Sequence, residues 1–172
     1  MWIFSLPVTA ITSLGFFGTS GTLVMCLPYV RGALALQAVA SAAALFFVTA
    51  GVSVVTHLIM GRAWVVDSPW KNALVLADKV LANSTAAACV AGALLSENRD
   101  HVCWAISLAF SVATFYWYHW AYPPHWQDWV YHHAKFHYLV QVGVYFLALH
   151  FVIDEVLEHA ALKEWGADRI AV

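Results

Sequence analysis

His132-His133-Ala134-Lys135-Phe136-His137-Tyr138-Leu139-Val140-Gln141 leads into an apolar run, Phe136 to Ile153, that contains no Asp, Glu, Lys or Arg. A charge-free run of that length reads as a helix that crosses a bilayer. On a helix, residues four apart lie about 40° apart around the axis and one turn along it. His133 and His137 therefore share a face. Two imidazoles so placed can close on one metal ion at about 2.0–2.1 Å. His132 points roughly 100° away and is a poorer ligand.

Composition agrees with a membrane setting. The chain is 62% apolar and only 10% charged, with a mean hydropathy of +0.71. A soluble domain carries about 25% charged residues. The formal net charge is −2, and no basic patch offers a nucleic-acid surface. Cys26, Cys89 and Cys103 are isolated in or beside apolar stretches. We expect neither a disulfide framework nor a cysteine metal site. The apolar N-terminal stretch lacks a basic leader and is too long for the core of a signal peptide, so we expect it to be retained as a span.

A span needs roughly 20 apolar residues. The charge-free runs predict an all-α integral membrane protein, one transmembrane domain over 1–172, with about five helices. These cover about 2–30, 34–60, 72–95, 102–118 and 132–156. Arg31-Gly32 makes a short turn. Gly61 to Trp70 is a polar loop, Ser96 to His101 another, and Pro123-Pro124 stops the fourth helix. His125 to Tyr131 is expected along the interface, beside an aromatic cluster from Phe115 to Tyr122. Glu158 to Arg169 forms a charged tail outside the membrane.

Topology brings distant residues to one depth. Helix two ends on the side where helix three begins, and helix four returns the chain there for helix five. The Gly61–Trp70 loop and the Pro123–Asp128 segment are expected on this same face. His57 lies near the end of helix two, Asp78 near the start of helix three, and His133 and His137 near the start of helix five. Ser53 shares the face of His57 at four residues' spacing. A carboxylate in a span costs about 2.5–3.5 kcal/mol on insertion scales, so Asp78 needs a partner and marks a site. Its bland alternative is a pairing with Lys79 or Arg62.

Three histidines with one open position are how a catalytic zinc is held. The metal lowers the pKa of its water from about 15.7 to roughly 7. A nearby carboxylate can take a proton and pass it on, and a serine hydroxyl can hydrogen-bond a developing oxyanion. His57, His133, His137, Asp78 and Ser53 supply these parts near one leaflet.

Ser53-x-x-x-His57, Leu76-Ala77-Asp78 and His133-x-x-x-His137, in that order on successive helices, resemble the motifs of the CREST superfamily. That group includes alkaline ceramidases, adiponectin-receptor-like proteins and haemolysin III-like proteins. The resemblance covers roughly Ser53 to His150. It implies zinc held by His57, His133 and His137, a water on that zinc contacting Asp78, and Ser53 lining the site. It also implies hydrolysis of a lipid amide or ester, with a membrane lipid as partner. The family has seven helices, whereas this sequence supplies five. Two other classes compete. One is a non-enzymatic, receptor-like or structural membrane protein that keeps its zinc. The other is a haem or redox protein with histidine ligands.

The remaining polar residues read more plainly. His119 and His125 belong to the headgroup region, while His150 and His159 fall on the opposite side from His133. Gln141, one turn beyond His137, is expected to bridge two helices. Asn83-Ser84-Thr85 spells a glycosylation sequon inside a span, where it is not used. Lys135 is expected to snorkel.

Overall fold

The computed structural model describes residues 5–63, 69–120 and 126–170, and side chains over fewer of these. Five α-helices account for almost all of them: α1 Ser5–Cys26, α2 Ala33–Ala63, α3 Pro69–Leu95, α4 His101–Trp120 and α5 Trp126–Ile170. Four of them contain stretches long and apolar enough to cross a membrane: Val8–Tyr29, Ala33–Leu58, Asn72–Leu95 and Tyr131–Leu162. The apolar part of α4 is shorter, His101–Tyr116. Large apolar side chains such as Met25, Phe47, Val112 and Tyr138 point outward. In water such a surface would be an aggregation hazard. In a bilayer it faces acyl chains.

Helix boundaries depart from the sequence expectation mainly around α5. Trp126 to Tyr131 continues α5 as its first turns, and the charged tail extends it to Ile170. No helix breaker separates these segments, so the ladder of backbone hydrogen bonds continues through them. Pro7 sits in the first turn of α1, where a missing N–H costs nothing, and Pro28 falls in a 3-10 turn, Leu27–Tyr29. Gly32 makes the expected turn at φ +96°, a region that penalises any residue with a Cβ. Residues 64–68 and 121–125 lie outside the described residues, and with them parts of the two loops expected on one face.

Side-chain contacts set the helix order. Going around the molecule, the helices meet as α3, α2, α1, α5, α4, and α3 and α4 scarcely touch. The result is an open arc. The α3–α2 contact is antiparallel and close. A Cβ at Gly92 would lie 2.7 Å from Val39 Cγ2, and Thr49 and Thr85 hydroxyls pair at 3.2 Å. Thr85 is thus buried, which places the sequon within a packed helix. Small residues on α2, among them Ala42, Ala43 and Ala50, are fully buried and let its neighbours approach. Phe16, Leu23, Phe46, Leu147 and Phe151 fill the space between α1, α2 and α5. All three cysteines are free.

At one end of the bundle a single amide joins three segments. Asn98 Nδ2 donates to Tyr29 O and to Phe151 O, both at 3.1 Å. Its Oδ1 accepts from Arg31 N at 3.0 Å and from Ser96 Oγ at 2.8 Å. Asn98 therefore joins the α1–α2 turn, the α3–α4 loop and α5. A leucine there would strand the Tyr29 carbonyl and the Arg31 N–H, each costing about 1–3 kcal/mol when buried, and would remove the second bond to the Phe151 carbonyl. We expect Asn98→Leu to destabilise the protein by about 3–5 kcal/mol in denaturant unfolding in detergent, a size reserved for broken polar networks. Loss of under about 1 kcal/mol would mean that the amide does not hold the helices together.

Asp100 caps α4. Its carboxylate accepts from Val102 N and Cys103 N, both at 3.1 Å, the usual N-cap arrangement. Burial works to raise its pKa, but hydrogen bonds from the Cys103 thiol and those two amides outweigh it and hold the group below its ordinary 3.8. A depressed carboxylate stabilises the fold above its unfolded pKa, and that contribution is lost as pH falls through the lower folded value. Amide exchange at Val102 and Cys103, measured at matched intrinsic rates, should therefore accelerate below pH 3.8. Unchanged protection there would show that the cap does not depend on the charge.

Candidate metal centre

The other end of the bundle holds the histidines. His57 comes from the last turns of α2, and His133 and His137 from the early turns of α5. His57 and His137 are buried, His133 half-buried. Each offers a ring nitrogen, and the three lie within 4.8 Å of one another. His57 Nε2 and His133 Nε2 stand 3.1 Å apart. Two nitrogens bound tetrahedrally to one ion at 2.0–2.1 Å would be about 3.3 Å apart. That pair stands close to this spacing, and the three nitrogens together could hold a metal ion. Among the described residues, these three form the only such group. His132, half-exposed, is not part of it.

Why the chain folds this way follows from its connections. His57 Nε2 meets His133 because α2 and α5 both flank α1, so the two helices face each other across it. Pairing of α4 with α5 is antiparallel, as His150 with the Asp100 carbonyl and Ser107 with the Gly143 carbonyl show. His150 accordingly lies at the far end of the bundle, as its place on the last helix implied. His159 also lies beyond it, near Glu155 at 3.9 Å.

Asp78, half-buried on α3, is joined to the site by Ser53, whose hydroxyl hydrogen-bonds the carboxylate. Lys79 contributes a charge interaction, so the bland pairing accounts for part of its surroundings but not for the Ser53 contact. The Arg62 side chain lies outside the described residues. Ser53 is 1% exposed. Its other contact is Ser13 Oγ at 3.1 Å. Ser53 thus faces Asp78 and α1.

Helix α1 contributes residues that the sequence motifs do not single out. Thr12 Oγ1 lies 3.0 Å from His137 Nδ1 and Ser13 Oγ 3.5 Å from it. Phe16 packs edge-on to the same ring at 4.9 Å between centroids. Gln141 donates from Nε2 to Thr12 O at 2.8 Å, the interhelical bond expected of it. It passes directly over Gly15, where a Cβ would meet its amide at 2.5 Å. A signal for α1 is present in the sequence: the same counting of spans puts residues 9–16 at the depth of His137.

Comparison of the chain with protein-family models, with curated proteins and with solved structures yielded no match. The chemistry of this chain is accordingly read from the geometry of its own site.

Proposed function

We propose that the chain is a zinc-dependent intramembrane hydrolase of a lipid amide or ester, a shortened relative of the ceramidase-like CREST proteins. The observation that carries this reading is the three-histidine cluster beside the Asp78–Ser53 pair, in which Ser53 shares α2 with His57. A bound zinc ion would supply Lewis acidity and a water of lowered pKa. His57, His133 and His137 would hold the ion and leave one position open. Asp78 holds and moves the proton. Ser53 orients Asp78 through its hydroxyl hydrogen. The apolar rings around the cluster, Phe16 and Phe136, limit water and strengthen each polar contact.

The open side of the arc suits a lipid substrate. One face of α4 is open and apolar along Trp104, Leu108, Val112 and Tyr116. By the antiparallel pairing of α4 with α5, Tyr116 lies level with the histidines. An acyl chain entering from the bilayer can lie along this face without crossing water.

A second reading also has an observation behind it. Fewer helices than the family's seven leave the arc unclosed, which would suit a protein that keeps a structural metal for a receptor-like role. The test is hydrolysis of ceramide and phospholipid in mixed micelles by purified, zinc-loaded protein, with and without a chelator. Turnover that chelation abolishes and zinc restores supports the hydrolase. Bound zinc with no turnover of any lipid amide or ester favours the structural reading.

A further inference from the structure

We propose that Thr12 and Ser13 on α1 are positioning residues for the metal centre: their hydroxyls take the N–H of His137 Nδ1, which locks the ring with Nε2 turned to the ion. This rests on the metal reading of the three histidines and adds the chain's own means of presenting one of them. Hydrogen-bond direction carries the inference. The Thr12 hydroxyl donates to Thr9 O at 3.0 Å, and the Ser13 hydroxyl donates to the same carbonyl at 2.8 Å. Each hydroxyl has one hydrogen and two lone pairs. With their hydrogens turned back on Thr9, both oxygens meet His137 Nδ1 at 3.0 and 3.5 Å with lone pairs only. Two lone-pair-bearing atoms cannot bond to a third, so Nδ1 carries the hydrogen. A neutral imidazole has a single N–H, and Nε2 is left as the donor to the metal.

The Ser13–Ser53 contact does not disturb this. Ser53 gives its hydrogen to Asp78, so any hydrogen between the two serines, 3.1 Å apart, comes from Ser13. Ser13 then shares it between Ser53 and Thr9 and still faces His137 with a lone pair. The result is a continuous path from Asp78 through Ser53 and Ser13 to the back of His137. Metal-binding histidines generally need such a partner on the other ring nitrogen. Here that partner is a pair of hydroxyls rather than a carboxylate. Back-bonding to Thr9, which alone would be an ordinary habit of Ser and Thr in helices, is what turns their lone pairs toward the ring. Gln141 holds that turn of α1 against α5 through Thr12 O.

The test uses full-length protein in detergent. Nitrogen NMR of labelled histidine in the metal-free wild type, with His137 assigned by comparison with His137→Gln, reads the tautomer directly. Hydrogen on Nδ1 is the expected result, and hydrogen on Nε2 overturns the proposal. Zinc affinity, measured by competition with a chromophoric chelator, should fall about 10–100-fold in the Thr12→Val/Ser13→Ala double variant, the range known for second partners of metal-binding histidines. Thr12→Ser, which keeps the hydroxyl, should stay near wild type. A double variant that folds and binds zinc as tightly as wild type overturns the proposal. If the double variant fails to fold, the wild-type NMR result decides alone. A wild type that binds no zinc sinks the metal reading, while the His137 tautomer still tests the hydrogen-bond geometry by itself.

Discussion

Elemental analysis of purified His137→Ala should show that it has lost most of its metal, against about one zinc ion per chain in the wild type, since a site of three histidine ligands reduced to two no longer encloses the ion. The residue is 2% exposed, so no surface side chain is placed to substitute for it. Its ring lies 4.5 Å from that of His133 and 5.5 Å from that of His57. The same change removes a buried ring against Phe16, and some loss of stability is expected with it. Helicity by circular dichroism separates that loss from loss of the ligand. His159→Ala, at an exposed residue of the far end, should keep its zinc and serves as the control. Full zinc retention by His137→Ala, or its absence from the wild type, would remove the ligand assignment.

Asp78→Asn is expected to separate chemistry from metal binding. Asparagine keeps the size of the side chain and can still accept the Ser53 hydrogen bond, but it cannot take a proton. General acid–base catalysis contributes typically about 10²–10⁴-fold. If the chain is the proposed hydrolase, turnover of ceramide or phospholipid should fall by that factor, on the order of 3–5 kcal/mol of barrier, with zinc still bound. Zinc and activity lost together would make Asp78 a ligand or an indispensable structural partner. A variant that only unfolds more easily, in a protein that never turns over lipid, would support the structural-metal reading.

Much of this site is legible in the sequence. The interval between His133 and His137 is a local property of one helix, as is that between Ser53 and His57, and 3.6 residues per turn settles both. Their common depth comes from counting spans, and the cluster of three nitrogens bears that counting out. Asp78 stands out because a carboxylate in lipid demands a partner. Its partner is not legible, because Ser53, Lys79 and Arg62 are all within plausible reach along the sequence. Only the α2–α3 packing brings Ser53 to it, beside the charge of Lys79. The start of α5 lies several residues before the expected one for a similar reason. Polar Gln127 and Asp128 are expected at a membrane boundary, but neither breaks a helix, and α5 begins before them.

What the sequence determined by itself was the all-helical class, the number of helices among the described residues, their up-and-down order and the shared face of His133 and His137. Those come from chain-local physics: hydropathy over a span, helical period and loop signals. What only the tertiary structure decided was which helices adjoin. Nothing in the sequence placed α1 between α2 and α5, brought Thr12 and Ser13 to the back of His137, or left α3 and α4 with few contacts. The reason is that lipid-facing and helix-facing surfaces are both apolar. Hydropathy therefore carries no record of neighbours, and helices in a bilayer choose partners by close packing of small residues and a few buried hydroxyls. Gly92 against Val39 and Ser20 against the Ala43 carbonyl are contacts of that kind, and they exist only once the chain has folded.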